Sequence, residues 1–430
     1  MSAGRPEGNF VLERTTLANG LRILSESMPH TRSVSISVYV AAGSRYERRE
    51  HAGLSHFVEH LLFKGSSRRP TAQAISEAID GVGGVINGGT DRELTVYYVK
   101  VARPHFELAA DILLDMLRRP LFDPEEVEKE RSVIVEELRS VADSPAQQVE
   151  VLLDETTFPD QPLGWDVAGF ESTVRAMSRD DALAYMQRQY VPNNLVISVA
   201  GNVTHEEVVA TVARELEDWP PGEPGSWFPA VNGQHAPRVA LKNRRTEQAH
   251  LSLALRALSS RHPDRYALDL LSILLGEGMS SRLFLELREK RSLCYDVHSY
   301  TSKYLDTGTF NVYAGVDPHK AGDAIAAILE QLARARDGFT EAELTKAKDL
   351  TRGRMLLRME DTRNVSGWNG MQELLYGEVR TVEDVLADID RVTRDDLQRV
   401  ANALLRPEGL NLAVVGPYRS RQRFAAAIRF

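Results

Sequence analysis

The chain has 430 residues, a formal net charge of −9 and one cysteine, Cys294. That length holds about two to four ordinary domains with cores of their own. Interspersed acids and bases argue against a nucleic-acid binder, and the lone cysteine excludes an internal disulfide and fits a reducing, cytoplasmic compartment.

Residues 1–17 alternate charged and polar types, so no secretory leader is expected, and no stretch approaches the length of a membrane span. Ile36, Val38 and Val40 alternate and predict a strand with one buried face. His51 reads as a loop or helix-start residue. The run 52–63 is apolar at helical spacing and predicts a helix packed on one side. Its open side carries His56, Glu59 and His60. Residues four apart on a helix stand about 40° apart in azimuth and about 6 Å apart along the axis, so both histidines can reach one ion. Glu59 lies roughly 60° to the other side of His56, poorly placed as a ligand but well placed beside a water on the metal. A zinc ion with N and O ligands and one open position lowers the pKa of water to about 7. Glu59 would take that proton and pass it to a leaving amine. The order His-x-x-Glu-His is the inverzincin signature.

A glycine-rich stretch, 83–89, contains Asn87 and Gly88 and precedes an alternating strand over 94–99. Residues 123–138 predict a helix, with Asp123 as N-cap, Pro124 at the first helical position, and a buried stripe of Val127, Val133, Ile134 and Leu138. Glu130 and Glu137 share one face of it within about 20°. This segment is the best source of a third ligand, although spacing alone does not choose between Glu136 and Glu137.

The two halves of the chain match at an offset of 215 residues. Ser178, Arg179, Asp180 and Asp181 recur as Thr393, Arg394, Asp395 and Asp396; Pro192 falls on Pro407 and Gly201 on Gly416. The strand-like runs 196–201 and 412–416 correspond, and Ile36, Val38 and Val40 fall on Leu251, Leu253 and Leu255. A Pro- and Gly-rich segment lies between the halves. The simplest reading is two homologous α+β domains, 1–218 and 238–430, joined by a linker over 219–237, each a mostly antiparallel sheet with helices packed on it. The counterparts of His56, Glu59 and His60 are Leu271, Leu274 and Leu275, so only the first domain carries the metal set. In the second, 281–295 reads as an amphipathic helix running into a strand, with Arg288 and Tyr295 seven apart.

The segment 53–65, reading G-L-S-H-F-V-E-H-L-L-F-K-G, resembles the zinc-site segment of the pitrilysin and insulin-degrading-enzyme family, closest to the half-length branch that includes mitochondrial processing peptidase. The resemblance covers nearly the whole chain and is strongest at 41–65, 83–100, 130–137 and 281–297. It implies one zinc ion per chain, held by His56, His60 and the last glutamate of an E-R-x-V-x-x-x-E segment, here Glu137. Glu130 then corresponds to the family's supporting glutamate. Arg288 and Tyr295 match its arginine–tyrosine element, which binds substrate and stabilises the oxyanion. Asn87 matches its edge-strand asparagine, while Gly88 replaces the usual alanine. The resemblance further implies a metalloendopeptidase that cleaves peptides or unfolded segments inside a closed chamber. This chain has half the length of the four-domain members, so a homodimer would restore that chamber, with the zinc of one subunit facing Arg288 and Tyr295 of the other. A processing peptidase with one leader-sequence substrate and a non-catalytic assembly or chaperone-like subunit are the rivals.

Overall fold

The computed structural model describes residues 12–428, so most of the segment read for a leader lies outside the described residues. Among the described residues, eleven strands build two mixed sheets. The first contains β1 (Leu12–Thr16), β2 (Arg22–Ser27), β3 (Ser33–Val40), β4 (Val85–Thr90), β5 (Thr95–Ala102) and β6 (Leu195–Gly201), in the order β1-β2-β6-β3-β5-β4. The second contains β7 (Arg238–Asn243), β8 (Ala249–Ala257), β9 (Cys294–Lys303), β10 (Gly308–Val316) and β11 (Leu410–Gly416), in the order β7-β11-β8-β10-β9. In each sheet one pair is parallel, β2 with β6 and β7 with β11, and the remaining pairs are antiparallel. The orders superimpose once β1 is set aside, as the duplication predicts. The matching N-caps are also built alike: Ser178 and Asp181 form a capping box on helix Arg179–Gln189, and Thr393 and Asp396 form one on helix Arg394–Leu404.

Alternation in β3 points to one buried face, yet both are covered. Val34, Ile36, Val38 and Val40 are buried, and so are Ser35, Ser37 and Tyr39. Helix Thr362–Tyr376 lies against the serine face. Its Thr362 hydroxyl meets Ser35 at 2.9 Å and Ser33 at 3.1 Å, and Ser366 meets Ser37 at 2.9 Å. In the second sheet helix Pro145–Thr157 takes the equivalent place, setting Val149 and Leu153 on Ala254, Ala413 and Val415. These two helices are counterparts in the repeat, and each packs on the sheet formed by the other half of the sequence.

The compact units therefore differ from simple halves. Unit 1 comprises Met1–Val135, Val167–Trp227 and Leu357–Arg380; unit 2 comprises Glu136–Asp166, Phe228–Leu356 and Thr381–Phe430. The segment read as a linker belongs to unit 1 as far as Trp227, which lies under the buried guanidinium of Arg45 at 4.3 Å. Two local expectations change. Helix Pro124–Asp143 is capped by Asp123 as predicted, but Val133 is 48% exposed, and the inward positions are Val127, Glu130, Ile134 and Val135. The helix expected after 281 is wound as a π-helix over Phe284–Lys290, with Leu283 and Leu287 buried.

Candidate metal centre

The site is built on helix Leu54–Leu62. Leu54, Phe57, Val58, Leu61 and Leu62 are buried and anchor one side, while His56 and His60 are half-buried on the other. Gly53 starts the helix in a left-handed conformation, φ 96°, where its neighbours leave no space for a Cβ: one would lie 2.5 Å from the carbonyl oxygen of Ala168. Two of the N–H groups left open at the helix start are taken by Glu47, whose carboxylate accepts from the N-cap Gly53 N at 2.8 Å and Ser55 N at 2.6 Å. Burial pushes the Glu47 carboxyl up to about 7, against the donors from Ser55 and Gly53 that favour its charged form. Its partner Ser55 also meets the Tyr185 hydroxyl at 2.7 Å. His51 lies ahead of this helix, on the 3-10 turn Arg49–His51, and is exposed.

His56 and His60 stand with ring centroids 4.5 Å apart, and one donor atom each from His56, Glu59 and His60 lies within 4.8 Å of the others. Burial, and then the neighbouring His60, lowers the His56 imidazole to about 3, so it stands ready as a neutral nitrogen donor. The His60 Nδ1 is 3.0 Å from Glu130 Oε2, which leaves Nε2 as its outward donor atom. Lys64 Nζ holds the other Glu130 oxygen at 2.6 Å. Burial opposes ionisation of Glu130, but the contacts to His60 and Lys64 outweigh it and hold the carboxyl below its usual range. Two nitrogen donors beside carboxylates, with one imidazole oriented from behind, form a donor set that fits zinc.

Glu59 is 9% exposed, and the Thr90 hydroxyl donates to its Oε2 at 3.4 Å. Behind it the hydroxyls of Tyr97 and Tyr190 meet at 2.8 Å. Burial, helped by the charge of Glu59, holds both phenols well above their usual range, so they are a neutral wall. Asn87 and Gly88 lie on β4, the outermost strand of the first sheet. A methyl group on Gly88 would fall 2.8 Å from Glu59 Oε1 and 3.0 Å from the Phe63 ring, so this strand runs directly beside the candidate base.

Glu137 follows Glu130 by two turns on the same face of helix Pro124–Asp143 but is solvent-exposed, as is Glu136, which pairs with Arg139 at 2.7 Å; among the described residues the grouped donors are His56, Glu59 and His60, without Glu137. Arg288 and Tyr295 belong to unit 2. The guanidinium of Arg288 lies 4.6 Å from the Tyr295 ring centroid and 4.8 Å from that of Phe284, and Tyr295 is 74% exposed. Glu47, Lys64, Thr90 and Tyr97 carry no sequence mark that singles them out. Lys64, Thr90 and Tyr97 meet partners distant in sequence and Glu47 meets the helix start six and eight residues on, and only Lys64 lies within one turn of the motif.

Among the described residues, no helix is long and apolar enough to cross a membrane. Residues 22–170 match the family model described as insulinase, peptidase family M16, and residues 176–351 match the one described as the peptidase M16 inactive domain. An uncharacterized zinc protease of Streptomyces coelicolor is 40% identical, covering 96% of this chain and 92% of that protein. Another, of Bacillus subtilis, is 36% identical over 95% of this chain and 98% of that protein. Among solved structures, a protease from Helicobacter pylori aligns with a TM-score of 0.88 at 25% identity, over 95% of this chain and 99% of that one. A peptidase M16 inactive domain from Pseudomonas fluorescens shares the fold at 18% identity, with a TM-score of 0.87 and coverage of 95% of this chain and 99% of that one. The chain belongs to the insulinase family, peptidase family M16.

Proposed function

We propose that this chain is a zinc-dependent endopeptidase that cleaves peptides or unfolded polypeptide segments. The observation that carries the reading is the close group of His56, Glu59 and His60, with His60 tethered from behind by Glu130. In this reading His56, His60 and Glu137 hold one zinc ion per chain. Bound zinc would supply water activation at neutral pH and polarise the scissile carbonyl. Glu59 accepts the proton of the attacking water and delivers it to the leaving amine, the task of a general base that later acts as acid. An extended substrate adds to the outer edge of β4 at Asn87 and Gly88 through backbone hydrogen bonds, which are blind to side-chain identity. Arg288 holds substrate carbonyls, and Tyr295 donates to the oxyanion. We place these two in trans, from the second subunit of a homodimer enclosing a chamber.

The test is hydrolysis of a mixed peptide pool by purified protein, with bound zinc measured on the same sample. Zinc near one per chain with many products supports general peptide cleavage. A single product supports a processing peptidase. Protein without zinc and without products overturns the enzymatic reading. A monomeric variant with full activity overturns the trans arrangement.

A further inference from the structure

Glu130 is 4% exposed and uses both carboxylate oxygens, one on His60 Nδ1 at 3.0 Å and one on Lys64 Nζ at 2.6 Å. Lys64 follows the metal helix directly, with its N–H on the Leu61 carbonyl at 3.1 Å, so its side chain starts from a fixed point. His60 and Lys64 stand on one segment and Glu130 reaches them from another, helix Pro124–Asp143. The lysine thus reaches the glutamate, and the glutamate reaches the imidazole.

We propose that Lys64 is a positioning residue for the metal site: it fixes the Glu130 carboxylate so that its second oxygen locks the His60 ring with Nε2 turned outward. The inference rests on the zinc reading above. A buried carboxylate that loses its cation is costly to keep in place. Without Lys64 the Glu130 side chain turns toward water, and the His60 ring is released. Outer partners of metal-bound histidines commonly carry about 10–100-fold of metal affinity, and Lys64 sits one link behind such a partner. The sign of the effect identifies the mechanism. A lysine acting only as a nearby charge repels a dication, so removing it tightens zinc binding. A lysine acting through Glu130 has the opposite effect.

The experiment measures zinc dissociation constants by competition with a chromogenic chelator. It uses full-length wild type, Lys64→Met, Lys64→Arg, Glu130→Gln and the Lys64→Met/Glu130→Gln double variant, with thermal melting to confirm folding. Lys64→Met is expected to weaken zinc by about 10-fold and Lys64→Arg by less than about 2-fold, while Lys64→Met adds less than about 2-fold in the Glu130→Gln background. Unchanged or tighter zinc in Lys64→Met, or an equal loss with and without Glu130, overturns the inference. Wild type that binds no zinc overturns the zinc reading itself, so the two failures are told apart.

Discussion

Substituting Gly53 by alanine tests whether the metal helix depends on its unusual start. The residue has φ 96°, a region that costs an L-residue about 1–2 kcal/mol. The added methyl would also lie 2.5 Å from Ala168 O, 2.8 Å from Ala168 C and 3.0 Å from Gly169 Cα, all backbone atoms that cannot swing aside. Forcing such a contact apart costs about 1–3 kcal/mol more, so Gly53→Ala loses about 2–5 kcal/mol. Gly83 separates the two contributions. Its φ is 67°, but a Cβ there meets nothing within 4 Å, so Gly83→Ala carries the conformational cost alone, about 1–2 kcal/mol. Urea unfolding of both variants beside wild type gives the comparison. The displaced backbone also moves Gly53 N off Glu47, three residues before His56, so zinc affinity falls in Gly53→Ala and is kept in Gly83→Ala. Equal losses in the two variants, or a Gly53→Ala cost below about 1 kcal/mol, would refute the packing argument.

Glu59→Gln preserves shape while removing the proton acceptor, so peptide turnover should fall by about 10²–10⁴-fold with zinc retained; turnover near wild type sinks the assigned role. Chelation should abolish hydrolysis and leave far-UV circular dichroism essentially unchanged, and unfolding of the apo-protein would contradict this. In unit 2, Leu153→Ala should cost about 2–5 kcal/mol in urea unfolding, because Leu153 is 1% exposed against Ala254, Ala413 and Val415; a cost under about 1 kcal/mol would mean the exchanged helix is not anchored there. Against the penalty of burial, Arg282 and Thr340 draw the Glu343 carboxyl down to about 2, so its contribution is present above the unfolded value and is lost as pH falls from 4.5 toward 2. After discounting for solvent, wild type should lose about 1 kcal/mol more than Glu343→Gln across that window, and parallel stability curves would rule this out.

The metal helix, the capped helix after Asp123 and the duplicated halves were all legible in sequence because each leaves a local periodic mark. His56 and His60 needed only helical spacing, and the paired capping boxes at 178 and 393 needed only short motifs. The exchange of helices Pro145–Thr157 and Thr362–Tyr376 left no such mark. Both helices match both sheets equally in a duplicated sequence, so periodicity cannot say which sheet each one covers. The serines at 33, 35 and 37 look like a solvent face and instead form a hydroxyl seam with Thr362 and Ser366. Val133 fits the apolar stripe by spacing but faces solvent, because Glu130 takes an inward position on this helix. An acidic residue in a buried stripe breaks the apolar pattern, and its partners His60 and Lys64 lie far back in the sequence.

The duplication also bears on why His56, Glu59 and His60 are there. Helix Arg265–Gly276 occupies in unit 2 the place in the element order that Leu54–Leu62 holds in unit 1. Where the first carries His56, Glu59 and His60, the second buries Leu271, Leu274 and Leu275, each 3% exposed or less. One strand order and one helix order thus form around three leucines as well as around two imidazoles and a carboxylate. The scaffold does not require these polar side chains at this point, since a copy of it with leucine at all three positions stands in the same chain. Apolar side chains here contribute burial, about 1.5–3 kcal/mol each. Unit 1 forgoes that gain and adds Glu130, a carboxylate that must be compensated inside the protein by His60 and Lys64. Holding three polar groups and their partners where the fold accepts leucine is a sacrifice of stability, and local stability sacrificed at one converging point is the physical signature of a site kept for chemistry.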